Sequence, residues 1–313
     1  MAAPRLIMKL RVAALRPTGG ETLVVEFQHP RKPQLPAFTP GAHVDLHLPD
    51  GKVRQYSLCG DPADRSRYVI AIKREAQGAV SGWLHDHLRE GMILPVSAPR
   101  NHFPMQPTEG PVTLVAAGIG ITPVLSMARA LGAEGRPFAL HYVAPSRASA
   151  PLLDDLEALC PEGSLHLHLR EETGARPDLE ALLATPAKGA QLYHCGPAGF
   201  MAAVEAATRH WPEGSVHSEA FQPPDLGPPQ PFTLRLKDGR ELPVAANETA
   251  LQVLRAAGVP LMASCENGLC GSCECGWSAG MPLHRDRVLS PEARSRRFIP
   301  CVSRAEGVIA LDL

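Results

Sequence analysis

Residues 264–273 read SCENGLCGSC, and the stretch FIPCVSR at 298–304 adds one more cysteine. The spacing is C-x4-C-x2-C, followed by 27 residues and then the last cysteine. Because three thiolates on one tight loop can reach both irons, this spacing predicts a 2Fe–2S cluster bound by Cys265, Cys270, Cys273 and Cys301. A zinc site would show two short cysteine pairs, and a disulfide framework needs an oxidising compartment. Cys275 lies two residues beyond the third ligand, and we interpret it as a small packed residue.

The composition of the chain argues against several classes of protein. Its 313 residues predict two or three domains, and its net charge of −1 gives no electrostatic basis for binding nucleic acid or an anionic membrane. Arg5, Lys9 and Arg11 interrupt the apolar N-terminal stretch, so we interpret it as a first strand and not as a signal peptide. No run reaches the roughly 18 apolar residues of a membrane-spanning helix, and the four cysteines outside the cluster motif are scattered, so we expect a soluble, cytoplasmic protein. We also expect it to be a monomer.

Turn signals and hydrophobic patterning divide the chain into three domains and a linker. Short strands separated by Gly, Pro and Asp predict an antiparallel β-barrel over residues 1–106. Alternating strands and helices predict an α/β domain with a doubly wound parallel sheet over residues 107–222. The proline-rich residues 223–231 predict a semi-rigid linker. A hairpin, a helix from about Thr249 to Ala257 with Asn247 as a candidate cap, and the cluster loop predict a β-grasp ferredoxin domain over residues 232–313.

The predicted α/β domain carries two glycine-containing turns, each between a strand and a helix. The first is GIGITP at residues 118–123, where glycine allows a pyrophosphate to approach the backbone and proline suits a first helical position. The second is HCGP at residues 194–197. Strand ends of an open α/β sheet form the ligand crevice, so the pair predicts a nucleotide site that includes Cys195. Taken singly, the first turn could be a tight connection without ligand and Cys195 a buried packing residue.

The barrel carries the sequence RQYSL at residues 54–58. Arg54 offers a fork to a phosphate, Tyr56 an aromatic edge, and Ser57 a hydroxyl able to reach a flavin ring nitrogen. The same pattern is also common on surface strands. Farther along, Lys73 follows a strand, and residues 78–81 introduce a helix whose N-terminus could meet an anion.

Together the segments RQYSL, AIKRE, GIGITP, HCGP, CENGLCGSC and FIPCVSR resemble, in this order, the phthalate dioxygenase reductase and vanillate demethylase reductase family. The resemblance covers essentially the whole chain and implies a flavin barrel, an NAD domain and a C-terminal ferredoxin. It implies flavin contacts at Arg54, Gln55, Tyr56, Ser57, Ile72, Lys73, Gly78, Val80, Ser81 and Phe221. It implies nucleotide contacts at Gly118, Gly120, Thr122, Pro123, Arg147, Cys195, Gly196 and Pro197. The hydride-transfer pocket would be lined by Ser57, Thr122, Cys195 and Glu219.

Two departures from the family pattern concern the cofactors. Members usually carry Arg-Gly-Gly-Ser where this chain reads GAVS at residues 78–81, a form that resembles FAD-containing flavohaemoglobin reductases. We predict FMN, with FAD as the alternative. Residues 144–147 read APSR, without the carboxylate that holds an NAD ribose at the end of the second strand. We predict NADH as the better substrate, with NADPH activity carried by Arg147.

The order of the domains predicts a path for electrons from NADH through the flavin to the cluster and on to an external acceptor. The family resemblance makes that acceptor a Rieske-type aromatic oxygenase or O-demethylase. The enzyme alternative is a reductase for a cytochrome or another monooxygenase. The non-enzyme alternative is an iron–sulfur redox sensor, against which the intact RQYSL, GIGITP and HCGP segments argue.

Overall fold

The computed structural model describes residues 6–76, 78–221 and 227–313, which fall into two compact units divided between Ala220 and Phe221. In the ranges that are described, every helix is too short or too polar to cross a lipid bilayer. The predicted linker lies in part outside the described residues, since residues 222–226 are not among them. Each unit is described by itself below.

The first unit opens with an antiparallel sheet whose strand order is β4-β3-β6-β1-β2-β5, with β7 beside β3. A bridge between Leu58 and Ile70 joins the two ends of this order and closes the sheet into a barrel. In β1, Met8, Leu10 and Val12 are buried while the residues between them are exposed, because side chains alternate along a strand. The elements are β1 (Ile7–Thr18), β2 (Thr22–Gln28), β3 (Ala42–His47), β4 (Val53–Ser57), β5 (Tyr68–Lys73), α1 (Ala79–His87), β6 (Ile93–Ser97) and β7 (Arg100–Asn101).

A parallel sheet follows, with strand order β10-β9-β8-β11-β12. Its strands are β8 (Val112–Ala117), β9 (Phe138–Ala144), β10 (Leu165–Leu169), β11 (Gln191–Cys195) and β12 (Val216–Glu219). Its helices are α2 (Ile121–Ala133), α3 (Leu153–Leu159), α4 (Arg170–Thr173), α5 (Leu179–Leu182) and α6 (Ala198–Ala207). From β8 the chain continues to β9 on one side of β8, and later returns as β11 on the other side of β8. The ends of β8 and β11 are therefore the switch point of the sheet. The antiparallel barrel and the parallel sheet confirm the predicted fold classes.

Side-chain contacts join the barrel and the parallel sheet within this unit. The Arg129 guanidinium donates a hydrogen bond to the Cys59 carbonyl at 3.2 Å, and Arg16 forms a 2.7 Å ion pair with Asp155. The Leu152 amide also donates to the Thr18 hydroxyl at 3.0 Å. These contacts tie helices α2 and α3 to the barrel.

Three histidines lie on the outer part of the parallel sheet. His141 of β9 is in register with His166 of the edge strand β10, and their rings stack with centroids 4.6 Å apart. His141 also lies 3.1 Å from a ring nitrogen of His168. Burial and the neighbouring histidines lower the pKa of His141 to about 4, and burial lowers that of His168. The His141 and His168 rings therefore pack as neutral aromatics near neutral pH.

The second unit contains a sheet of order β14-β13-β17-β15-β16, in which β13 runs parallel to β17 and the other pairs are antiparallel. Its helix α7 is capped by Thr249, whose hydroxyl accepts from the Gln252 amide at 3.2 Å while the Gln252 side chain accepts from the Thr249 amide. The expectation of an Asn247 cap was wrong, because this reciprocal pair starts the helix two residues later. The elements are β13 (Phe232–Arg235), β14 (Glu241–Val244), α7 (Ala250–Ala256), β15 (Cys275–Leu283), α8 (Pro291–Arg294), β16 (Arg297–Phe298) and β17 (Arg304–Leu311).

Candidate flavin, nucleotide and iron–sulfur sites

Strand β4 of the barrel faces the strand ends of the parallel sheet through Ser57. This residue is buried, and its hydroxyl donates a hydrogen bond to a Glu219 carboxyl oxygen at 3.2 Å. Tyr56 packs against the barrel core, and burial raises the pKa of its phenol. Arg54 is half-buried and donates to the Val53 carbonyl at 2.8 Å. A hydroxyl, an aromatic ring and a guanidinium on one strand are groups that fit a flavin and its phosphate.

Glu219 lies at the end of β12, directly beside Cys195 at the end of β11. Burial raises the pKa of Glu219 to about 8, although the Ser57 hydrogen bond opposes the shift. Burial, with the Glu219 carboxyl adding to it, also raises the pKa of the Cys195 thiol. Both groups are therefore held in their neutral forms at pH 7. The structure brings together three of the four residues expected to line the hydride-transfer pocket.

The turn at residues 118–120 packs against the HCGP turn. A Cβ atom on Gly120 would lie 2.2 Å from the Cys195 carbonyl oxygen and 2.6 Å from the Gly196 nitrogen, so no larger residue fits there. Helix α2 starts immediately afterwards, and Thr122 is buried with its hydroxyl donating to the Ile119 carbonyl at 3.0 Å. Pro123 lies in the first turn of this helix and Pro197 precedes α6. Two helix N-termini thus flank the switch point, as an anionic ligand requires.

The predicted phosphate region at the start of α1 is tied together by its own backbone. The Ser81 hydroxyl accepts from the Glu75 amide at 3.1 Å and donates to the Gly78 carbonyl at 3.2 Å. Ile72 and Val80 are buried in the barrel core. Lys73 is exposed, and its ammonium nitrogen lies 3.6 Å from a Glu75 carboxyl oxygen.

A buried carboxylate beside the flavin strand was missed by the sequence reasoning. Asp45 of β3 is fully buried, forms an ion pair with Arg100 and accepts a hydrogen bond from the Gln55 amide at 3.3 Å. The same Gln55 nitrogen lies 3.1 Å from a ring nitrogen of His43. Side chains on strand β3 therefore orient Gln55. Because side chains alternate along a strand, Gln55 lies on the face of β4 opposite to Arg54 and Tyr56. An aspartate within the apolar run AHVDLHL was the available signal.

Arg147 and Phe221 are the two remaining predicted contacts. Arg147 is exposed and forms ion pairs with Glu157 of α3 at 2.6 Å and Glu172 of α4 at 3.2 Å. Phe221 is half-buried and begins the second unit. Its place over a flavin stays a prediction.

The four predicted cluster ligands lie in the second unit and form two pairs. Cys265, Cys273 and Cys301 are buried and Cys270 is half-buried. The hydrogen bond from the Cys265 thiol lowers the pKa of Cys270, and that from the Cys301 thiol lowers the pKa of Cys273. The Asn267 amide also donates to the Cys265 sulfur at 3.4 Å. One thiol of each pair is therefore easily deprotonated, as thiolate ligation requires.

This pairing fits two irons better than one metal ion. A 2Fe–2S cluster takes two thiolates on each iron. Gly268 of the cluster loop has φ +70°, and a Cβ atom there would lie 2.5 Å from Val302 beside the fourth cysteine. Cys275 packs in the core of the sheet, and its thiol donates to the Phe298 carbonyl.

Comparison with known families gives two matches along the chain. The model of the oxidoreductase FAD-binding domain matches residues 10–105, and that of the 2Fe-2S iron-sulfur cluster binding domain matches residues 235–306. The first covers the barrel and the second contains all four paired cysteines.

Three similar proteins align over nearly the whole chain. The vanillate O-demethylase oxidoreductase of Pseudomonas sp. strain HR199 is 37% identical, covering 98% of this chain and 100% of its own. The heme-dependent oxidative N-demethylase beta subunit of Ectopseudomonas mendocina is 39% identical, with 98% and 99% covered. The solved structure of phthalate dioxygenase reductase, described as a modular structure for electron transfer from pyridine nucleotides to [2Fe-2S], is 37% identical with a TM-score of 0.81 and 98% of both chains covered.

Proposed function

Because this chain belongs to the phthalate dioxygenase reductase and vanillate demethylase reductase family, we propose that it is the reductase component of a Rieske-type aromatic oxygenase or O-demethylase. Electrons would pass from NADH through FMN to the 2Fe–2S cluster and then to the oxygenase. The observation that carries the proposal is the hydrogen bond between Ser57 and Glu219. It joins the flavin-contacting strand of the barrel to the strand ends at which a nicotinamide would arrive.

The proposed cofactors divide the redox work. A bound flavin would accept a hydride and release its electrons singly, which is the conversion that a one-electron cluster requires. Ser57 would donate to or accept from the flavin ring, while Arg54 and Lys73 would balance the charge of its phosphate. Cys265 and Cys270 would bind one iron, and Cys273 and Cys301 the other.

Glu219 would act at the nicotinamide end of this pocket. Since its pKa is raised to about 8, it keeps its proton at pH 7 and can donate one hydrogen bond while accepting another from Ser57. A neutral carboxyl group can therefore orient a carboxamide oxygen without adding a negative charge. Cys195 would line the same pocket, since it lies directly beside Glu219, and Thr122 would complete it from the start of α2.

FMN is the flavin that we propose, with FAD as the alternative. The family resemblance implies FMN, whereas the GAVS sequence at residues 78–81 resembles FAD-containing reductases. Acid-released flavin separated by chromatography decides between them. FMN in equimolar amount supports the proposal, and equimolar FAD would replace it.

The Rieske character of the partner is tested by reconstitution. The purified chain, NADH and a vanillate- or phthalate-type Rieske oxygenase should give product in amounts coupled to NADH oxidation. A second candidate function has a specific basis, because a relative 39% identical is named as a subunit of a heme-dependent N-demethylase. Product formation with a haem-dependent demethylase, and none with Rieske oxygenases, would favour this second function.

We also propose that the protein works as a cytoplasmic monomer with the domain limits stated above, 1–106, 107–222 and 232–313. The cytoplasm supplies NADH and keeps cysteines reduced. A fragment ending at Gln222 should remain a flavoprotein that oxidises NADH but does not reduce a one-electron protein acceptor. A fragment that fails to bind flavin would show that the limit is misplaced, and sedimentation of the full chain tests the monomer.

A further inference from the structure

Arg304 is a buried arginine that binds the end of the linker. Its side chain is almost entirely buried at the start of β17. The guanidinium donates twice to the Gln230 carbonyl, at 3.1 and 2.6 Å, and also to the carbonyls of Ala245 and Glu248. It lies over the Phe232 ring, 4.7 Å from the centroid. Since all these acceptors are backbone carbonyls, the contact depends on where the chain runs and not on the neighbouring side chains.

Arg285 holds the same segment nearer its start. Its guanidinium donates to the Gly227 carbonyl at 3.0 Å and to the Pro228 carbonyl at 3.5 Å. Prolines lack an amide hydrogen, so carbonyl oxygens are the main groups by which a proline-rich segment can be hydrogen-bonded. Two arginines thus attach residues 227–230 to the ferredoxin unit.

The two arginines belong to the segments that enclose the cluster cysteines. Arg304 follows the proposed ligand Cys301 by three residues. The intervening Ser303 accepts from the Arg285 amide at 3.3 Å and donates to the buried carboxylate of Asp286 at 3.4 Å. The attachment point of the linker is therefore part of the scaffold around the fourth thiolate.

We propose that Arg304 and Arg285 are positioning residues that shorten the working linker. The chain from Ala220 to Phe232 has twelve residue steps and could span at most about 43 Å, whereas the seven steps from Ala220 to Gly227 span at most about 25 Å. Effective concentration falls roughly as the −3/2 power of linker length, so attachment raises the concentration of the cluster near the flavin about twofold. This inference rests on the proposed function, because it assigns the shortened linker to electron transfer from flavin to cluster.

The test uses the full holoprotein with three substitutions in the pair and one control. Arg285→Ala frees residues 227–228. In the Arg285→Ala background, Arg304→Met removes the remaining donors while keeping apolar volume, and Arg304→Lys keeps the charge with fewer donors. Arg240→Ala is the control, because Arg240 is exposed in the same unit and bonds Asp238 and the Ala257 carbonyl instead. Small-angle X-ray scattering measures the spread of the two units, and stopped-flow absorbance measures flavin and cluster reduction separately.

We expect Arg285→Ala combined with Arg304→Met to increase the radius of gyration and to slow flavin-to-cluster transfer about twofold, with NADH-to-flavin reduction unchanged, because only the double variant frees every step up to Phe232. In the same background, Arg304→Lys should slow flavin-to-cluster transfer less than Arg304→Met does. Arg240→Ala should transfer electrons at the wild-type rate. If Arg304→Met does not fold, Arg285→Ala decides alone, with a decrease of about 1.7-fold for a linker lengthened to ten steps. Unchanged scattering in the folded variants would overturn the attachment, and unchanged transfer with larger scattering would overturn its role. A wild type whose cluster is not reduced would refute the proposed function, while scattering still decides the attachment.

Discussion

The Arg147 guanidinium donates a hydrogen bond to the Glu157 carboxylate, with nitrogen and oxygen 2.6 Å apart. Glu172 adds a second carboxylate, 3.2 Å from Nε of the same arginine. The strand end that carries APSR has no carboxylate of its own, yet helices α3 and α4 place two beside it. A 2′-phosphate would have to displace both, so the arrangement favours NADH.

Removing the two carboxylates should release Arg147 for NADPH. We expect Glu157→Gln with Glu172→Gln to raise kcat/KM for NADPH by roughly tenfold, since a charge-assisted contact is worth about 1.5 kcal/mol, while the value for NADH changes less than about twofold. Adding Arg147→Ala to the double variant should abolish the gain. Steady-state kinetics with both nucleotides measure this, and an unchanged NADPH value would remove Arg147 from the nucleotide site.

Loss of one paired thiol should remove the cluster without stopping flavin reduction. Cys265→Ser leaves Cys270 without its thiol partner, so we expect no 2Fe–2S absorbance or EPR signal, with NADH oxidation by two-electron acceptors retained. Cys275→Ala is the matched control, because that thiol bonds the Phe298 carbonyl and belongs to neither pair. A cluster retained in Cys265→Ser would contradict the ligand assignment.

Glu219 should make the first unit less stable as pH rises. Its pKa is about 8 in the folded protein and 4.5 ordinarily, so the unfolded chain ionises first and stability falls between these values. Because Glu219 is only half-buried, we expect a contribution of about 1–3 kcal/mol. Glu219→Gln should reduce the fall in melting temperature between pH 5 and pH 9, whereas Glu213→Gln on the exposed surface should not. Equal slopes in both variants would count against the raised pKa.

The ion pair between Arg100 and Asp45 should support both the barrel and flavin binding. Arg100→Ala leaves a buried carboxylate without its cation, which should cost about 2–4 kcal/mol because Arg100 itself is partly exposed. Arg67→Ala breaks an exposed pair with Glu26 and should cost less than about 1 kcal/mol. Thermal unfolding followed by flavin fluorescence compares them. Equal losses of stability in Arg100→Ala and Arg67→Ala would show that the buried ion pair contributes no more than the exposed one.

The features that could be predicted from the sequence are local in the chain. The cluster ligands follow from cysteine spacing because three of them share one ten-residue segment. The turn before α2 could be predicted because its backbone conformation and close packing require glycine. The sheet classes follow from strand and helix alternation. In each case the residues that determine the structure are neighbours in sequence.

The features that were missed depend on contacts distant in sequence. Asp45 meets Arg100 across 55 positions, and Arg147 meets its carboxylates on two later helices. The APSR sequence therefore gave no sign of the two carboxylates beside Arg147. The Asn247 cap failed for a different reason, since a capping box from Thr249 to Gln252 competes with it locally and adds a second hydrogen bond.

The stacked histidines of β9 and β10 should lower the stability of the parallel sheet in acid. Because the pKa of His141 is lowered to about 4 in the folded protein, the unfolded chain takes up a proton first, and stability is lost as pH falls from about 6.5 to about 4. Cations forced onto facing rings repel one another, and the strand free to move away is β10, at the edge of the sheet. Brief acidification should therefore detach β10 before the central strands. The unpaired backbone of β9 would then be open to pairing with another molecule. Faster hydrogen exchange at the His166 and His168 amides near pH 5, slowed again by His141→Phe, would mark the first step of acid-induced aggregation.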